Sequence, residues 1–303
     1  MEIGLKLRQA MLMNSLLFNS EAWHDITEKE IKLLEVVDEH LLRSLVGAHS
    51  KTPLEFLYLE TGSVPVRFIL ACRRMIYLQT ILKRPDSELT KQIYLTQKEK
   101  PTKGDFYCLV VQDFQSIGEP LNEKDIANKS KLSHKNNIKE KITSAAFLYL
   151  KEKQSQHSKV KDIQYKRLET QKYMTSTLFN NTEVCLLFAL RSRYIDCKTN
   201  FRYKYKNEDL LCQLCGQNED NQPHLLQCKI LSSYFKSEEM VKNSIEYNDI
   251  FSSDPRRQKV IVTIFAKLLE LRKILLTNPS VSDEMLKNRY NLQKCIVNVS
   301  FGN

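Results

Sequence analysis

The chain has 303 residues and a formal net charge of +10, and 42% of its residues are hydrophobic, which is enough to form a core. It contains only 7 glycines and 8 prolines, which argues against a sheet-rich fold with many tight turns. Leu, Ile, Lys and Glu dominate the composition, so we expect a mostly α-helical fold.

The first hundred residues carry helical patterns separated by turn residues, and we interpret residues 1–100 as one helical region. Apolar residues at mixed three- and four-residue spacing predict a helix over residues 3–22. Thr27 and Glu30 have the spacing of a capping box, and Gly47 provides a stop, so a second helix is expected between them. Further helices are expected after Pro53, from Pro65 to Pro85 and over residues 87–97.

Residues 101–105 (PTKGD) give the clearest linker signal in the first half of the chain, and a second helical region is expected over residues 105–181. Its last helix, near residues 134–154, has an apolar stripe opposite a row of lysines. We therefore expect an amphipathic helix with a basic exposed side. The lysines of this side are Lys135, Lys139, Lys141, Lys151 and Lys153.

Positive charge is concentrated in two stretches of the chain. Residues 129–172 contain twelve Lys or Arg against four Asp or Glu, and residues 191–206 contain six against one. Clustered cations suit a polyanionic partner because each neutralised phosphate releases condensed counterions, so RNA or DNA is the expected partner. A lysine-rich surface that only faces solvent is the alternative.

No apolar run is long enough to span a membrane, and Met1 leads into a mixed charged helix instead of a signal peptide. We therefore expect no membrane partner and a nuclear or cytoplasmic location, where thiols stay reduced. Five of the eight cysteines are scattered and are expected to be small core residues. The other three lie close together in the last third of the chain.

Cys212, Cys215, His224 and Cys228 follow the spacing C-x2-C-x8-H-x3-C. The first pair suits a tight turn that points two thiolates at one ion, and Gly216 allows the positive φ that such turns often need. The last pair shares one face of a helical turn. We expect one structural zinc ion, because four protein ligands leave no position for a reactive water. A chance cluster of buried thiols and a redox Cys-x2-Cys pair are the alternatives.

A zinc-knuckle module is expected over residues 182–231, beginning with a helix over 182–194. C-terminal helices are expected over residues 232–303, with one helix beginning at Ser232 and a clear apolar stripe over residues 254–276.

Phosphate contacts are expected just upstream of the cysteines, because three thiolates and one imidazole leave a zinc site with a charge near −1. Aromatic and cationic side chains alternate over residues 201–206, so an extended segment would place rings on one face for base stacking and cations on the other. A strand with its aromatic side chains in the core is the alternative. The candidate nucleic-acid-binding residues are Arg191, Arg193, Lys198, Arg202, Tyr203, Lys204, Tyr205 and Lys206.

Two groups of residues resemble the C-terminal third of the protein encoded by LINE-type (non-LTR) retrotransposons. Residues 17–23 (LFNSEAW), 34–43 and 55–61 (EFLYLET) look like the thumb, the helical region that follows the polymerase palm and packs on the template–primer duplex. Residues 190–193 (LRSR) and 212–228 look like the cysteine–histidine knuckle near the C-terminus of these proteins.

The resemblance implies a fragment that grips template RNA or target DNA during target-primed reverse transcription. The reverse transcriptase of the family needs a palm with paired aspartates to hold two metal ions, and this chain has no Asp-Asp pair. We therefore expect a non-enzymatic nucleic-acid-binding module that lacks its palm. A zinc-stapled helical interaction module without a nucleic-acid role is the alternative. A hydrolase built on His24 and Asp25, or on Asp38 and His40, is the weakest option.

Overall fold

The computed structural model describes residues 1–206, 208–234 and 246–277, and the fold is mostly α-helical, as the composition predicts. The chain divides into two compact units. Unit 1 comprises Met1–Leu45 and Pro53–Gln171, and unit 2 comprises Val46–Thr52 and the chain from Lys172 onward. The division differs from the four segments expected from the sequence, because the helices on either side of the 101–105 loop share one core.

Unit 1 begins with a continuous helical stretch, α1, over residues 2–16, which consists of Glu2–Leu7, a π-helical turn at Arg8–Leu12 and Met13–Leu16. It is shorter than the predicted helix over residues 3–22, because Asn19 takes a left-handed conformation and only a 3-10 turn, Ser20–Ala22, follows. The other helices that lie wholly or largely in unit 1 are α2 (Glu28–Val46), α3 (Leu54–Thr61), α4 (Val66–Leu82), α5 (Leu89–Glu99), α6 (Phe106–Ser116), α7 (Glu123–Asn128) and α8 (Lys131–Ser155).

The helix α4 is the centre of unit 1, because apolar residues around most of its circumference pack against α5, α6, α7 and α8. Met75 and Leu78 are fully buried in this core, and Ile138 and Ile142 of α8 lie against the same cluster. Val66 and Leu70, near the start of α4, join a second cluster with residues of α1 and α2. The predicted helix is therefore present as α8, but on its basic side only Lys135 and Lys139 are exposed, and Lys141, Lys151 and Lys153 are half-buried.

The capping signals of the sequence lie where the helices begin. The backbone N–H of Thr27 donates to the Glu30 carboxylate at 2.7 Å, and the N–H of Glu30 donates to the Thr27 hydroxyl at 3.3 Å, which is the predicted capping box. Gly47 ends α2 with a φ of 61°. The predicted helix stop at Gly47 is therefore confirmed. Glycine suits this position because it adopts a left-handed conformation without steric strain.

A buried ion pair fixes α1 against α2 within unit 1. The guanidinium of Arg8 donates to both oxygens of Asp38 at 2.5 and 2.6 Å, and the two side chains are almost fully buried. The hydroxyl of Tyr58 donates to the same carboxylate at 2.9 Å. Burial next to this carboxylate raises the pKa of Tyr58 well above its usual value. Asp38 therefore has a structural role, which argues against a hydrolase site built on Asp38 and His40.

Unit 2 contains α9 (Lys172–Thr175), α10 (Asn181–Arg191), α11 (Gln222–Gln227), α12 (Lys229–Tyr234) and α13 (Pro255–Thr277), with 3-10 turns at Lys198–Phe201 and Tyr247–Phe251. The helix α10 packs on α13 through buried apolar side chains on both helices. It ends before the predicted Tyr194, because Arg193 has a φ of 57° and the chain turns there.

The helix predicted from Ser232 begins earlier, at Lys229, as α12, which is described as far as Tyr234. Residues 235–245 and 278–303, where further C-terminal helix was predicted, lie outside the described residues. None of the helices within the described ranges is long and apolar enough to cross a membrane.

Candidate metal centre and its surroundings

A tight turn brings Cys212 and Cys215 together. The N–H of Cys212 donates to the carbonyl of Asn218 at 2.8 Å, and the N–H of Gly216 donates to the carbonyl of Cys212 at 2.8 Å. Gly216 has a φ of 64°, as the knuckle pattern predicts. A single antiparallel bridge between Leu211 and Glu219 closes the base of the turn.

The other two ligands lie on and just after the short helix α11. The side chain of Asn221 caps this helix by accepting the N–H of His224 at 2.8 Å. Pro223 occupies the first turn, where its missing N–H leaves no helical hydrogen bond unmade. His224 and Cys228 are one turn apart, and both side chains point toward the cysteine turn.

The four ligand atoms all lie within 4.8 Å of one another, so the cluster can hold a metal ion. The sulfurs of Cys212 and Cys228 are 4.0 Å apart, and the Cys215 sulfur lies 3.3 Å from Nε2 of His224. On a tetrahedral zinc ion, two sulfurs bound at about 2.3 Å are about 3.8 Å apart, and a sulfur and an imidazole nitrogen are about 3.6 Å apart. The two observed spacings lie within about 0.3 Å of these values, so these side chains can share one ion.

Burial controls the protonation of the ligands within the folded chain. It raises the pKa of the Cys228 thiol to about 11 and lowers the pKa of His224. Burial also raises the pKa of the Cys215 thiol. Hydrogen bonds with the backbone of Gln217 and Asn218 lower it and, with the neighbouring Cys212 and Cys228, outweigh burial, so the pKa of Cys215 is lowered. The backbone hydrogen bonds of the turn therefore favour the thiolate form of Cys215, while a cation must displace the proton of Cys228.

A buried carboxylate that sequence reasoning missed lies in the loop between the two ligand pairs. Asp220 is fully buried, and its Oδ2 accepts a hydrogen bond from Arg272 at 2.6 Å and from the N–H of Lys198 at 2.9 Å. A second guanidinium nitrogen of Arg272, Nη1, lies 3.7 Å from the sulfur of Cys197. Burial, and then the nearby Asp220 carboxylate, raise the pKa of Cys197 to about 12. This sulfur is outside the four-ligand cluster.

Two of the predicted phosphate-binding residues are buried, and the prediction is wrong for them. Arg191 is 4% exposed, donates to the carbonyl of Ile250 at 2.9 Å and stacks over the ring of Phe251. Lys198 is 7% exposed, and its ammonium donates to the carbonyl of Asp209 at 3.1 Å. Both cations contact groups of unit 2, so they stabilise its fold and are not presented to a phosphate.

Residues 201–206 are not extended, so both the stacking face and the core strand expected from their alternation are wrong. Arg202 has helical backbone angles, and the N–H groups of Lys204 and Tyr205 donate to carbonyls three residues earlier. Phe201 is buried, while Arg202, Tyr203, Lys204 and Lys206 are exposed and Tyr205 is half-buried. The turn therefore still presents three cations and one open tyrosine ring to solvent. Arg193, also predicted, is half-buried.

The loop of residues 46–52 lies beside the exposed turn of residues 202–206. Sequence reasoning missed this proximity. The ring of His49 stacks on that of Tyr194, with centroids 5.0 Å apart and planes 10° apart. The ammonium of Lys51 lies 5.5 Å from the ring centre of Tyr203. No local pattern connects residues separated by about 150 positions, so only the fold could reveal this pairing. We call residues 49–51 together with 202–206 the basic turn surface.

Comparison with protein-family models, with curated proteins and with solved structures found no match.

Proposed function

We propose that unit 2 is a zinc-stapled, non-enzymatic module that binds RNA or DNA, as expected for the C-terminal region of a LINE-type retrotransposon protein. The observation that carries this proposal is the adjacency of two features. A four-ligand metal cluster lies beside the exposed basic turn surface, and Arg202 reaches within 3.9 Å of Glu219 at the base of the ligand turn.

Zinc is the ion that suits the cluster best. Three cysteines and one histidine in a tetrahedral arrangement are ligands of structural zinc sites, whereas calcium and magnesium prefer oxygen. Four protein ligands fill the coordination sphere, so the ion has no position for a substrate or a reactive water. Its role is to fix the turn and α11, and the site with its three thiolates has a charge near −1.

Attraction to phosphates must therefore come from the basic turn surface. Lys51, Lys204 and Lys206 are exposed, and within the described residues none of them forms an ion pair with a carboxylate. Tyr203 is 49% exposed and offers a ring on which a base can stack. Cations around an open ring are the combination that grips a single strand without reading its sequence.

The alternative, an interaction module without nucleic acid, requires acidic neighbours that neutralise the lysines of α8. Among the five lysines of the predicted basic face, Lys141 pairs with Glu119 at 2.7 Å. The described residues hold no such carboxylate partner for the other four, Lys135, Lys139, Lys151 and Lys153. An unneutralised face of this kind favours a polyanionic partner.

The test is the binding of a 20-nucleotide RNA and of single-stranded DNA, measured by fluorescence anisotropy between 50 and 300 mM salt. The triple variant Arg202→Ala, Lys204→Ala, Lys206→Ala removes three cations of the basic turn surface. We expect at least tenfold weaker binding at 50 mM salt and a slope of log K against log salt that is smaller by about 2.

The matched control removes three exposed lysines of unit 1, by Lys29→Ala, Lys32→Ala and Lys100→Ala. The control variant loses the same net charge but keeps the basic turn surface. It should therefore bind RNA more tightly than the triple variant of the turn. Equal binding by the two variants, both with their metal retained, would reject the basic turn surface as the binding site.

A further inference from the structure

Unit 1 has a cleft of about 640 Å³ between α1, α4 and α8, and the function proposed for unit 2 does not use it. Arg73 of α4 lines one side of the cleft, and Lys135 and Lys139 of α8 line another. The two lysines are four residues apart on one helix, so they project from the same face. Among the residues that line the cleft, all of them described, there is no Asp or Glu.

The charge of these three side chains is not neutralised within the described chain. Arg73 donates to the carbonyl of Leu17, to the hydroxyl of Ser20 and to the side-chain carbonyl of Asn14, which are all uncharged. Lys135 and Lys139 are exposed, and no carboxylate of the described residues lies within ion-pair distance of either.

Two further cations of the cleft have partners elsewhere. Lys6 pairs with Glu2, and Arg8 pairs with Asp38. The excess positive charge therefore comes from the first three side chains. The neutral acceptors hold Arg73 in place without removing its charge.

Cys72 lines the same cleft as the three cations. Burial and the Asp113 carboxylate raise the pKa of its thiol, whereas Lys139, Arg73 and Lys135 lower it. Like charges held together repel one another, and a bound anion would relieve the repulsion.

We propose that this cleft binds phosphate groups, with Arg73, Lys135 and Lys139 as the contacts. A guanidinium and two ammonium groups supply charge-assisted hydrogen bonds to adjacent phosphates. The volume exceeds that of a single phosphate, so the ligand is a chain of phosphates, either a free oligophosphate or the backbone of a nucleic-acid strand. The cleft belongs to unit 1 and does not depend on the metal cluster or on the basic turn surface.

The experiment uses the full chain with two probes, inorganic pyrophosphate by titration calorimetry and a 12-nucleotide RNA by fluorescence anisotropy. The cleft variant is Lys135→Ala with Lys139→Ala, and both residues are exposed, so the fold should persist. The control is Lys124→Ala with Lys131→Ala, two exposed lysines of the same unit that lie outside the cleft.

We expect the cleft variant to bind at least fivefold more weakly than the control. A loss with pyrophosphate identifies a free oligophosphate as a ligand, and a loss with RNA alone identifies the nucleic-acid backbone. If the cleft variant and the control bind both probes equally, or if the wild-type chain binds neither, the cleft is not a phosphate site.

Discussion

Arg272 of α13 donates a hydrogen bond to Asp220 at 2.6 Å, and the two side chains are 8% and 0% exposed. Asp220 lies in the loop between Cys215 and His224, and it also accepts the N–H of Lys198 at 2.9 Å. One buried carboxylate therefore joins the metal-binding loop, a 3-10 turn and the last described helix. The knuckle is part of the core of unit 2 and is not a free-standing finger.

Replacing Arg272 with methionine should destabilise unit 2 by about 3 to 5 kcal/mol, because Asp220 would remain buried without its cationic partner. Hydrogen exchange of the backbone amides over residues 197–228 measures this loss as a lower free energy of local opening. The control, Arg256→Ala, removes an exposed arginine of the same helix and should change stability by less than about 0.5 kcal/mol. Wild-type protection in the Arg272 variant would show that the pair is not needed.

The purified chain should contain one zinc ion, held by the four-ligand cluster, and Cys228→Ser should remove it. Elemental analysis after dialysis measures the zinc content, and circular dichroism follows unfolding on addition of a chelator. The control is Cys108→Ser, a cysteine of α6 outside the cluster, which should keep the metal. Apparent binding energies of structural zinc are about 10 to 16 kcal/mol, so loss of the ion should unfold the knuckle. A wild-type chain without zinc would contradict the assignment.

Local patterns in the sequence were sufficient to predict most of the helices and the cluster of three cysteines and one histidine that can hold a metal ion. Thr27 and Glu30 predict the start of α2 because both halves of a capping box lie within four residues. The four ligands lie within one stretch of 17 residues, and turn and helix geometry then determine their direction. Such features depend on neighbours in the chain, so one sequence contains the information.

Features that depend on distant contacts could not be predicted. Arg191 has the sequence context of a phosphate contact, but it folds onto the carbonyl of Ile250, 59 positions away. The alternation of rings and cations over residues 201–206 indicates a strand, yet hydrogen bonds three residues apart form a turn there. Packing of Phe201 against His49 favours that turn, and no local signal reports it.

The stability of unit 1 should fall as the pH drops below 6.5, because His134 is buried in its neutral form. Burial lowers the pKa of His134 from 6.5, although the Met75 carbonyl, which accepts from Nε2 at 3.1 Å, acts in the opposite direction. Below pH 6.5 the unfolded chain takes up a proton that the folded protein does not, so protons favour unfolding. The contribution of His134 to the free energy of unfolding is complete above pH 6.5. It decreases by up to about 1.4 kcal/mol per pH unit below that, until the pH reaches the pKa of His134 in the folded protein.

Urea unfolding followed by the fluorescence of Trp23, which lies in unit 1, measures this effect at pH 7.5, 6.5 and 5.5. The difference in unfolding free energy between the wild type and His134→Gln isolates the histidine from other titrating groups. We expect this difference to shift against the wild type as the pH falls. A difference that stays constant from pH 7.5 to 5.5 would contradict the prediction.

Gly62 should be the glycine of unit 1 that tolerates substitution least. It has a φ of 64°, and a Cβ added there would lie 2.1 Å from the backbone nitrogen of Thr170 and 2.4 Å from the carbonyl carbon of Glu169. The backbone approaches closely because Thr61 and Thr170 form an antiparallel bridge. Gly62→Ala must therefore push residue 62 away from residues 169–170. An alanine that only had to adopt a left-handed conformation would not require this separation.

Gly118→Ala is the matched control, because Gly118 has a φ of 73° and a Cβ there would meet no atom within 4 Å. Its cost should be that of the backbone conformation alone, about 1 to 2 kcal/mol. Gly62→Ala should exceed this by at least about 2 kcal/mol, since the clash breaks the bridge and moves the 169–170 segment out of its packing. Urea unfolding followed by Trp23 fluorescence compares the two variants. Equal losses of stability would show that the chain can separate at Gly62 without penalty, and that the bridge does not hold residues 169–170 against α3.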